Sequence, residues 1–165
     1  MCPMDAEGTE KLLSCLAEWA EAYTRHRSIY AKDVQSVVRK GQVLEVVKSE
    51  GKEIYCLFLG GWDLSLVESK EAHRIFIVSF NNEESFRELV KHWQQLLSHK
   101  NLRVVMVNPF STGEHKWMVS PAVHHTITEE GALEKGLLSL FKSVEQVSLA
   151  DALAALERVP EEPEE

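Results

Sequence analysis

Apolar residues near the start of the chain recur at helical intervals. Between residues 9 and 24 they are spaced three or four positions apart, which predicts an amphipathic helix with one buried stripe. The stripe consists of Leu12, Leu13, Leu16, Trp19, Ala20 and Tyr23. The next segment, residues 29–39, has a less regular pattern that is compatible with a short second helix ended by Gly41.

From residue 43 the apolar residues fall into short runs that are typical of β-strands. The runs are rich in Val, Ile, Leu and aromatic residues, and they cover residues 43–47, 53–59, 62–67 and 73–80. Turn residues separate them, and Gly60-Gly61 is the best candidate for a tight hairpin turn. The pattern predicts an antiparallel meander.

A long helix and a buried strand follow the meander. Asn81 and Asn82 precede two glutamates, a combination that caps a helix and suits its dipole, and the helix is expected to end near residue 99. Residues 102–107 are almost uniformly apolar, as expected for a strand covered on both faces. Strand, helix and strand predict a βαβ unit with two parallel strands and a right-handed crossover.

Three further elements complete the predicted order. Residues 115–120 form an edge strand stopped by Pro121, Thr128 caps a helix, and Ser148 caps a last short helix. We expect one α/β domain over residues 1–159. It would be three-layered, with a mixed, twisted sheet of five or six strands, an antiparallel meander, one parallel βαβ crossover, and helices at both ends of the chain. Residues 160–165 are expected to be an acidic, disordered tail.

The composition is that of a globular protein, with 44% hydrophobic and 27% charged residues and a net charge of −8. Residues 1–125 carry 16 acidic and 15 basic side chains, so the negative charge is concentrated near the end of the chain. A near-neutral body gives no general support for nucleic-acid binding and favours a solvated surface over a local basic patch. That patch would consist of Arg25, Arg27, Lys32, Arg39 and Lys40.

The cysteines and the longest apolar runs indicate the cellular compartment in which the protein is expected. Three cysteines without a CxxC pair are expected to be reduced thiols in a cytoplasmic protein, with Cys15 and Cys56 in the core. No apolar run approaches the ~20 residues of a membrane-spanning helix, so no membrane partner is expected.

Three carboxylates lie nearest to the predicted strands: Asp63, Glu68 and Glu45. A metal-dependent nuclease needs several acids and a Lys that converge on Mg²⁺ from adjacent strands. Ile77 and Ser79 stand where such an acid and Lys would be required. Asp63 therefore fits a turn cap better than a metal ligand. Mg²⁺ is expected as a cofactor only if the chain is an active nuclease.

The seven histidines form no HxxxH or HExxH motif, and they favour surface or structural roles over a metal site. A candidate ligand crevice is predicted at the carboxyl ends of the two βαβ strands, where Asn81, Asn82 and Asn108 lie. Open α/β sheets often bind ligands at such ends. The same residues also make good caps and turns, which is the favoured interpretation.

Three stretches resemble the C-terminal domain of tRNA-splicing endonuclease subunits, within the restriction-endonuclease-like superfamily. They are Gly61-Trp62-Asp63-Leu64, then His73 leading residues 74–78, and Lys100 leading the strand at 102–107. The resemblance covers roughly residues 51–120 and implies an α-β-β-β-α-β core. It implies that His73 is the general acid–base and that Lys100 stabilises the charged transition state. The family's catalytic Tyr falls on Val67, which cannot perform that chemistry.

The incomplete motif favours a degenerate, non-catalytic nuclease-like domain that acts as a binding or assembly module in nucleic-acid metabolism. Its partner would be RNA, DNA, another protein or a second copy of the chain. Trp62 and Trp117 would favour a protein interface if both were exposed. Two alternatives stay open: an active nuclease, metal-dependent or metal-independent, that uses Asp63, His73 and Lys100, and a small-molecule-binding or sensory domain that uses the crevice.

Overall fold

The computed structural model describes residues 5–27, 32–69, 72, 74–127 and 131–158. These residues form one six-stranded sheet whose spatial order follows the chain. Its strands are β1 (Val34–Lys40), β2 (Val43–Lys48), β3 (Gly51–Phe58), β4 (Arg74–Phe80), β5 (Leu102–Val107) and β6 (Lys116–Val119). The helices are α1 (Ala6–Arg27), α2 (Leu64–Glu68), α3 (Glu83–Lys91), α4 (Trp93–Leu96), α5 (Pro121–Ile127), α6 (Leu133–Ser143) and α7 (Leu149–Glu157).

The sheet is mixed, which confirms the predicted fold class. Strands β1, β2 and β3 form an antiparallel meander, β3, β4 and β5 are parallel, and β6 is antiparallel to β5 at the edge. The meander predicted over residues 43–80 holds only for β2 and β3, because β4 pairs with β3 in parallel. Each parallel pair is joined through helix, α2 for the first and α3 with α4 for the second. Helices lie at both ends of the described chain.

The prediction of a second helix before Gly41 is wrong. From residue 34 onward this segment is strand β1, and residues 28–31 lie outside the described part of the chain. Gly41 has φ +60°, the left-handed conformation that a two-residue hairpin turn demands, so it joins β1 to β2. Because β1 is an edge strand with only partial burial, its sequence lacks the strong alternation that marks a half-buried strand.

The prediction of a strand over residues 62–67 is also wrong, because this segment contains α2. Asp63 caps the helix, and Leu64 and Val67 both face the core, a spacing that one helical turn provides. Gly61 bends the chain at φ +56° and does not form a hairpin. Since β3 and β4 pair in parallel, their connection must return across the sheet, which a tight turn cannot do.

Two smaller differences concern the later helices. The helix predicted to run unbroken to about residue 99 is divided at His92 into α3 and α4. Helix α5 begins directly at Pro121, where the sequence had suggested only the end of a strand. Ser148 caps α7 as predicted, with its side chain accepting a bond from the Asp151 amide. Thr128, the predicted cap of α6, lies outside the described residues.

Two apolar layers enclose the sheet and give the three-layer arrangement. On one face α1 and α7 cover the inward side chains of the strands, including Tyr55, Phe76 and Val105. On the other face α2, α3, α4 and α6 cover Ile54, Ile77 and their neighbours. Each large apolar side chain buried in these layers contributes roughly 1.5–3 kcal/mol relative to exposure.

Two tryptophans and two cysteines lie inside these layers. Trp62 and Trp117 are each 4% exposed, so neither supplies an exposed aromatic interface. Cys15 and Cys56 are buried, as predicted. No helix of the described chain is both long and apolar enough to cross a membrane. The predicted tail, residues 160–165, lies beyond the described part.

Candidate functional site

The structure brings the three asparagines of the predicted crevice to one edge of the sheet, where the chain itself occupies their amides. The segment between α6 and α7 passes over the carboxyl ends of β4 and β5. Asn81 is fully buried, and its Nδ2 donates to the carbonyls of Phe141 (3.2 Å) and Val144 (2.9 Å). Its Oδ1 accepts a 2.7 Å bond from Trp117 Nε1. Every polar atom of this side chain therefore has a partner within the chain.

The other two asparagines hold the same segment. Asn82 caps α3 by accepting from the Ser85 amide at 2.9 Å, and its Nδ2 donates to the Val147 carbonyl at 3.3 Å. Asn108 donates to the Glu145 carbonyl at 2.9 Å and accepts from the Phe110 amide at 3.0 Å. A small molecule could enter this crevice only by displacing the segment from these bonds.

The residues of the nuclease-like motif do not form a connected site in the described chain. Asp63 is the N-cap of α2, and its Oδ1 accepts from the Ser65 amide (3.1 Å) and hydroxyl (2.6 Å). Lys100 is exposed in the turn before β5, and no described hydrogen bond or ion pair joins it to Asp63. Val67 is buried in α2 at 1% exposure. His73 lies outside the described residues.

The remaining predicted carboxylates are held in separate pairs. Glu45 binds Lys52 at 2.6 Å, and Glu68 accepts a 2.8 Å bond from Gln95. Ser79, at the position where a nuclease would need a Lys, is buried and donates to the Phe58 carbonyl at 2.8 Å. The described residues contain no group of three or more His, Cys, Asp or Glu side chains that could hold a metal ion.

Sequence reasoning missed a buried carboxylate on β3. Glu53 is 3% exposed, and its Oε1 lies 3.3 Å from Arg27 and 3.4 Å from Lys48. The hydroxyls of Thr24 (3.2 Å) and Tyr55 (3.3 Å) donate to the same oxygen. Its sequence signal is an acid followed directly by an apolar strand, at residues 53–58.

The charges around Glu53 determine its ionisation. Burial raises the pKa of Glu53, but the attraction of Arg27 and Lys48, with hydrogen bonds from Thr24 and Lys48, outweighs burial and leaves the pKa below its usual value. Burial lowers the pKa of Arg27, and Glu53 more than restores it. Both groups are therefore charged at neutral pH.

Arg27 belongs to a stacked column of side chains that runs from the surface into the core. Trp19 stacks on Tyr23 with ring centroids 5.1 Å apart, and the Arg27 guanidinium lies 5.3 Å from the Tyr23 centroid. The same guanidinium lies 5.7 Å from the centroid of Phe76, which stacks on Tyr55 at 4.5 Å. Cation–π contacts and Glu53 together fix the Arg27 head group.

A surface groove lies between α1 and the start of β6, beside this column. It encloses about 430 Å³. Its lining includes Trp19, Tyr23, His26, Glu114, His115 and Lys116. The Lys116 ammonium is 5.8 Å from the Tyr23 centroid, so a cation and an aromatic surface lie side by side.

Two arginines extend the positive charge across the same face of the sheet. The strand register places Arg74 beside Glu53 and Arg103 beside Phe76, so both side chains lie on the face that α1 packs against. Both are partly exposed. Within the described chain, the ion pairs give no carboxylate partner to Arg74, Arg103 or Lys116. We call these three residues the basic face.

The basic patch considered from the sequence is different from this face. Arg25 is paired with Glu21 and Arg39 with Glu10, so their charges are offset locally. Arg27, another residue of that predicted patch, belongs to the stacked column of side chains, and its charge is already paired with Glu53. Strand register, which sequence alone did not provide, is what assembles Arg74, Arg103 and Lys116.

No protein-family model matches the chain, and no curated protein or solved structure matches it.

Proposed function

We propose that this chain is a non-catalytic nucleic-acid-binding module whose contact surface is the basic face. The observation that carries the proposal is the set of three partly exposed cations for which the described residues provide no carboxylate partner. Cations of this kind bind phosphates and release condensed counterions, which provides most of the affinity of proteins for nucleic acids. Aromatic side chains beside the cations add surface that suits bases.

The positions suggested for cleavage support binding without hydrolysis. Asp63 is engaged in capping α2, Glu45 and Glu68 have other partners, and the described acids form no metal cluster. Hydrolysis by a metal-dependent nuclease requires acids that converge on the ion. We therefore expect binding to be independent of Mg²⁺. The likeness to splicing-endonuclease domains stays a prediction, and a degenerate member of that family is compatible with this function.

Because the chain carries a net charge of −8, we expect the basic face to provide most of its attraction for phosphates. Three phosphate contacts on a single strand give a slope of log K against log salt of about −2, at about −0.7 for each contact. Binding should therefore be easily detected at low salt and weak at moderate salt, unlike that of a strongly basic protein.

The test is a titration of labelled single-stranded RNA, hairpin RNA and duplex DNA at low and moderate salt, with and without Mg²⁺, with cleavage scored in the same samples. We expect salt-sensitive binding to at least one of these and no cleavage. The double variant Arg74→Gln/Arg103→Gln should bind at least tenfold more weakly. The control double variant Lys91→Gln/Lys142→Gln removes two exposed cations from α3 and α6, which cover the opposite face.

Equal losses in the two double variants, or no binding to any probe, would overturn the proposal. Cleavage that is abolished by Asp63→Ala without loss of folding would instead support the active nuclease.

A further inference from the structure

We infer that the groove between α1 and β6 is a subsite for one unpaired nucleotide, so the ligand is single-stranded nucleic acid and not a duplex. This inference rests on the proposed function and names its substrate class. It adds the aromatic side chains of α1 to Lys116 of the basic face, since the groove walls are aromatic on α1 and cationic on β6.

The two walls match the two halves of a nucleotide. Trp19, which is partly exposed and lines the groove, offers aromatic surface to a flat base, and Tyr23 supports it from one side. Lys116, 5.8 Å from the Tyr23 centroid, offers a positive charge to the adjoining phosphate. His26 and His115 lie at the same groove and can donate hydrogen bonds to phosphate oxygens. Glu114 is an exposed carboxylate of the lining and lies beside these cations.

A base in a duplex cannot use such a groove. Its faces are stacked on neighbouring pairs and its edge is bonded to the opposite strand, so it would first have to leave the helix at a cost of a few kcal/mol. An unpaired base has no such cost. Proteins that bind single strands accordingly combine a positive track with aromatic side chains.

The basic face continues from the groove along a path that a single strand can follow. Lys116 pairs with Val107 on β5, and Arg103 lies four residues earlier on that strand, roughly 13 Å away at about 3.3 Å per residue. Arg74 lies on the next strand, β4. The cations thus lie along one path that the phosphates of an extended chain can follow, with a base in the groove at its Lys116 end.

The aromatic wall is held in place before any ligand arrives. Tyr23 stacks on Trp19 and lies against Arg27, which Glu53 binds at 3.3 Å. Trp19 therefore lies against a ring that is itself fixed, so it loses less conformational freedom when a base binds to it.

The experiment compares three labelled probes of equal length at low salt: a deoxythymidine decamer, an abasic deoxyribose-phosphate decamer, and a decamer duplex. We expect the deoxythymidine decamer to bind about tenfold more tightly than either of the others. Trp19→Leu should lower affinity for the deoxythymidine decamer about tenfold and so remove this preference. Phe86→Leu is the control, because it removes a partly buried ring from the opposite face, where Phe86 contacts Phe141.

The abasic probe needs no protein variant, so the test stands even if Trp19→Leu does not fold. Equal binding of all three probes would overturn the subsite and leave the proposed function standing. A preference for the deoxythymidine decamer that persists in folded Trp19→Leu would also overturn it. Failure to bind any probe would remove the proposed function itself.

Discussion

Trp117 donates its indole N–H to Oδ1 of Asn81 across 2.7 Å, which ties the edge strand β6 to the carboxyl end of β4. Asn81 also binds the carbonyls of Phe141 and Val144, so one buried side chain joins three parts of the chain. The contact lies where a ligand crevice was predicted, and it makes the C-terminal helices part of the core.

Replacing Asn81 by Ala should destabilise the fold by about 3 kcal/mol, because each buried group left without a partner costs about 1–3 kcal/mol. Three groups are affected: the Trp117 indole and the two carbonyls. Urea denaturation measures the change. Asn101→Ala is the control, since that exposed side chain makes one bond, to the Ala72 carbonyl, and should cost under about 1 kcal/mol. Similar losses in the two variants would contradict the assigned role of Asn81.

The sequence predicted the sheet and its layers better than it predicted the contacts of Asn81. Periodicity identifies a buried strand at residues 102–107 because burial on both faces requires apolar side chains throughout. The partners of Asn81 are backbone carbonyls 60 and 63 residues away, and any residue type supplies a carbonyl. No residue pattern could therefore reveal them.

The two elements that were predicted wrongly, and the basic face, also depend on contacts between residues far apart in the sequence. A short apolar run fits a strand or one helical turn, and the parallel pairing of β3 with β4 decides for helix at α2. Arg74, Arg103 and Lys116 are each isolated cations in the sequence, and only the register of three strands gathers them on one face. Asp63 differs because its contacts are local: the sequence predicted a turn cap, and the structure has the N-cap of a helix.

Glu53 should make stability depend on pH in the acid range. Its pKa is lowered in the folded state, so its ionised form contributes stability that is fully present above the unfolded pKa of about 4.3 and is lost as pH falls through the folded value. Glu53→Gln leaves Arg27 and Lys48 without their carboxylate and should cost about 3 kcal/mol at pH 7. The deficit should shrink below about pH 4.

Melting temperature or urea midpoint, measured between pH 3 and pH 7, checks this dependence. The matched control is Glu50→Gln, an exposed residue in the turn before β3. It should follow the wild type closely at every pH. A Glu53→Gln deficit that is constant from pH 3 to pH 7 would show that ionisation of Glu53 does not stabilise the fold.

Cys15 should resist alkylation while the protein is folded. Burial, with a smaller effect from Glu18, raises the pKa of its thiol to about 11. Only about a thousandth of the thiol is then ionised at pH 8, and the thiolate is the reactive form. Mass spectrometry after brief iodoacetamide treatment should find the Cys15 peptide unmodified in buffer and modified in urea. Rapid modification in buffer would indicate that α1 separates readily from the sheet.

Asp63→Ala tests whether this carboxylate has a role beyond capping. Loss of an N-cap costs about 1 kcal/mol, and the short α2 should fray accordingly. Asp63→Ser retains a capping oxygen and should restore most of the stability. Nucleic-acid affinity should be unchanged in both variants. If Asp63→Ser folds normally but loses binding or a cleavage activity, the carboxylate takes part in the chemistry.

The salt dependence of binding counts the phosphate contacts of the basic face. Arg103 and Arg74 have no described carboxylate partner, so each should contact one phosphate directly. Replacing either by Gln should make the slope of log K against log salt about 0.7 less negative on single-stranded probes. Arg39→Gln is the matched control, since its guanidinium is bound to Glu10 at 2.8 Å and its removal should leave the slope unchanged. If Arg39→Gln changes the slope as much as Arg103→Gln, nucleic acid follows a different surface, along β1 and not across β4 and β5.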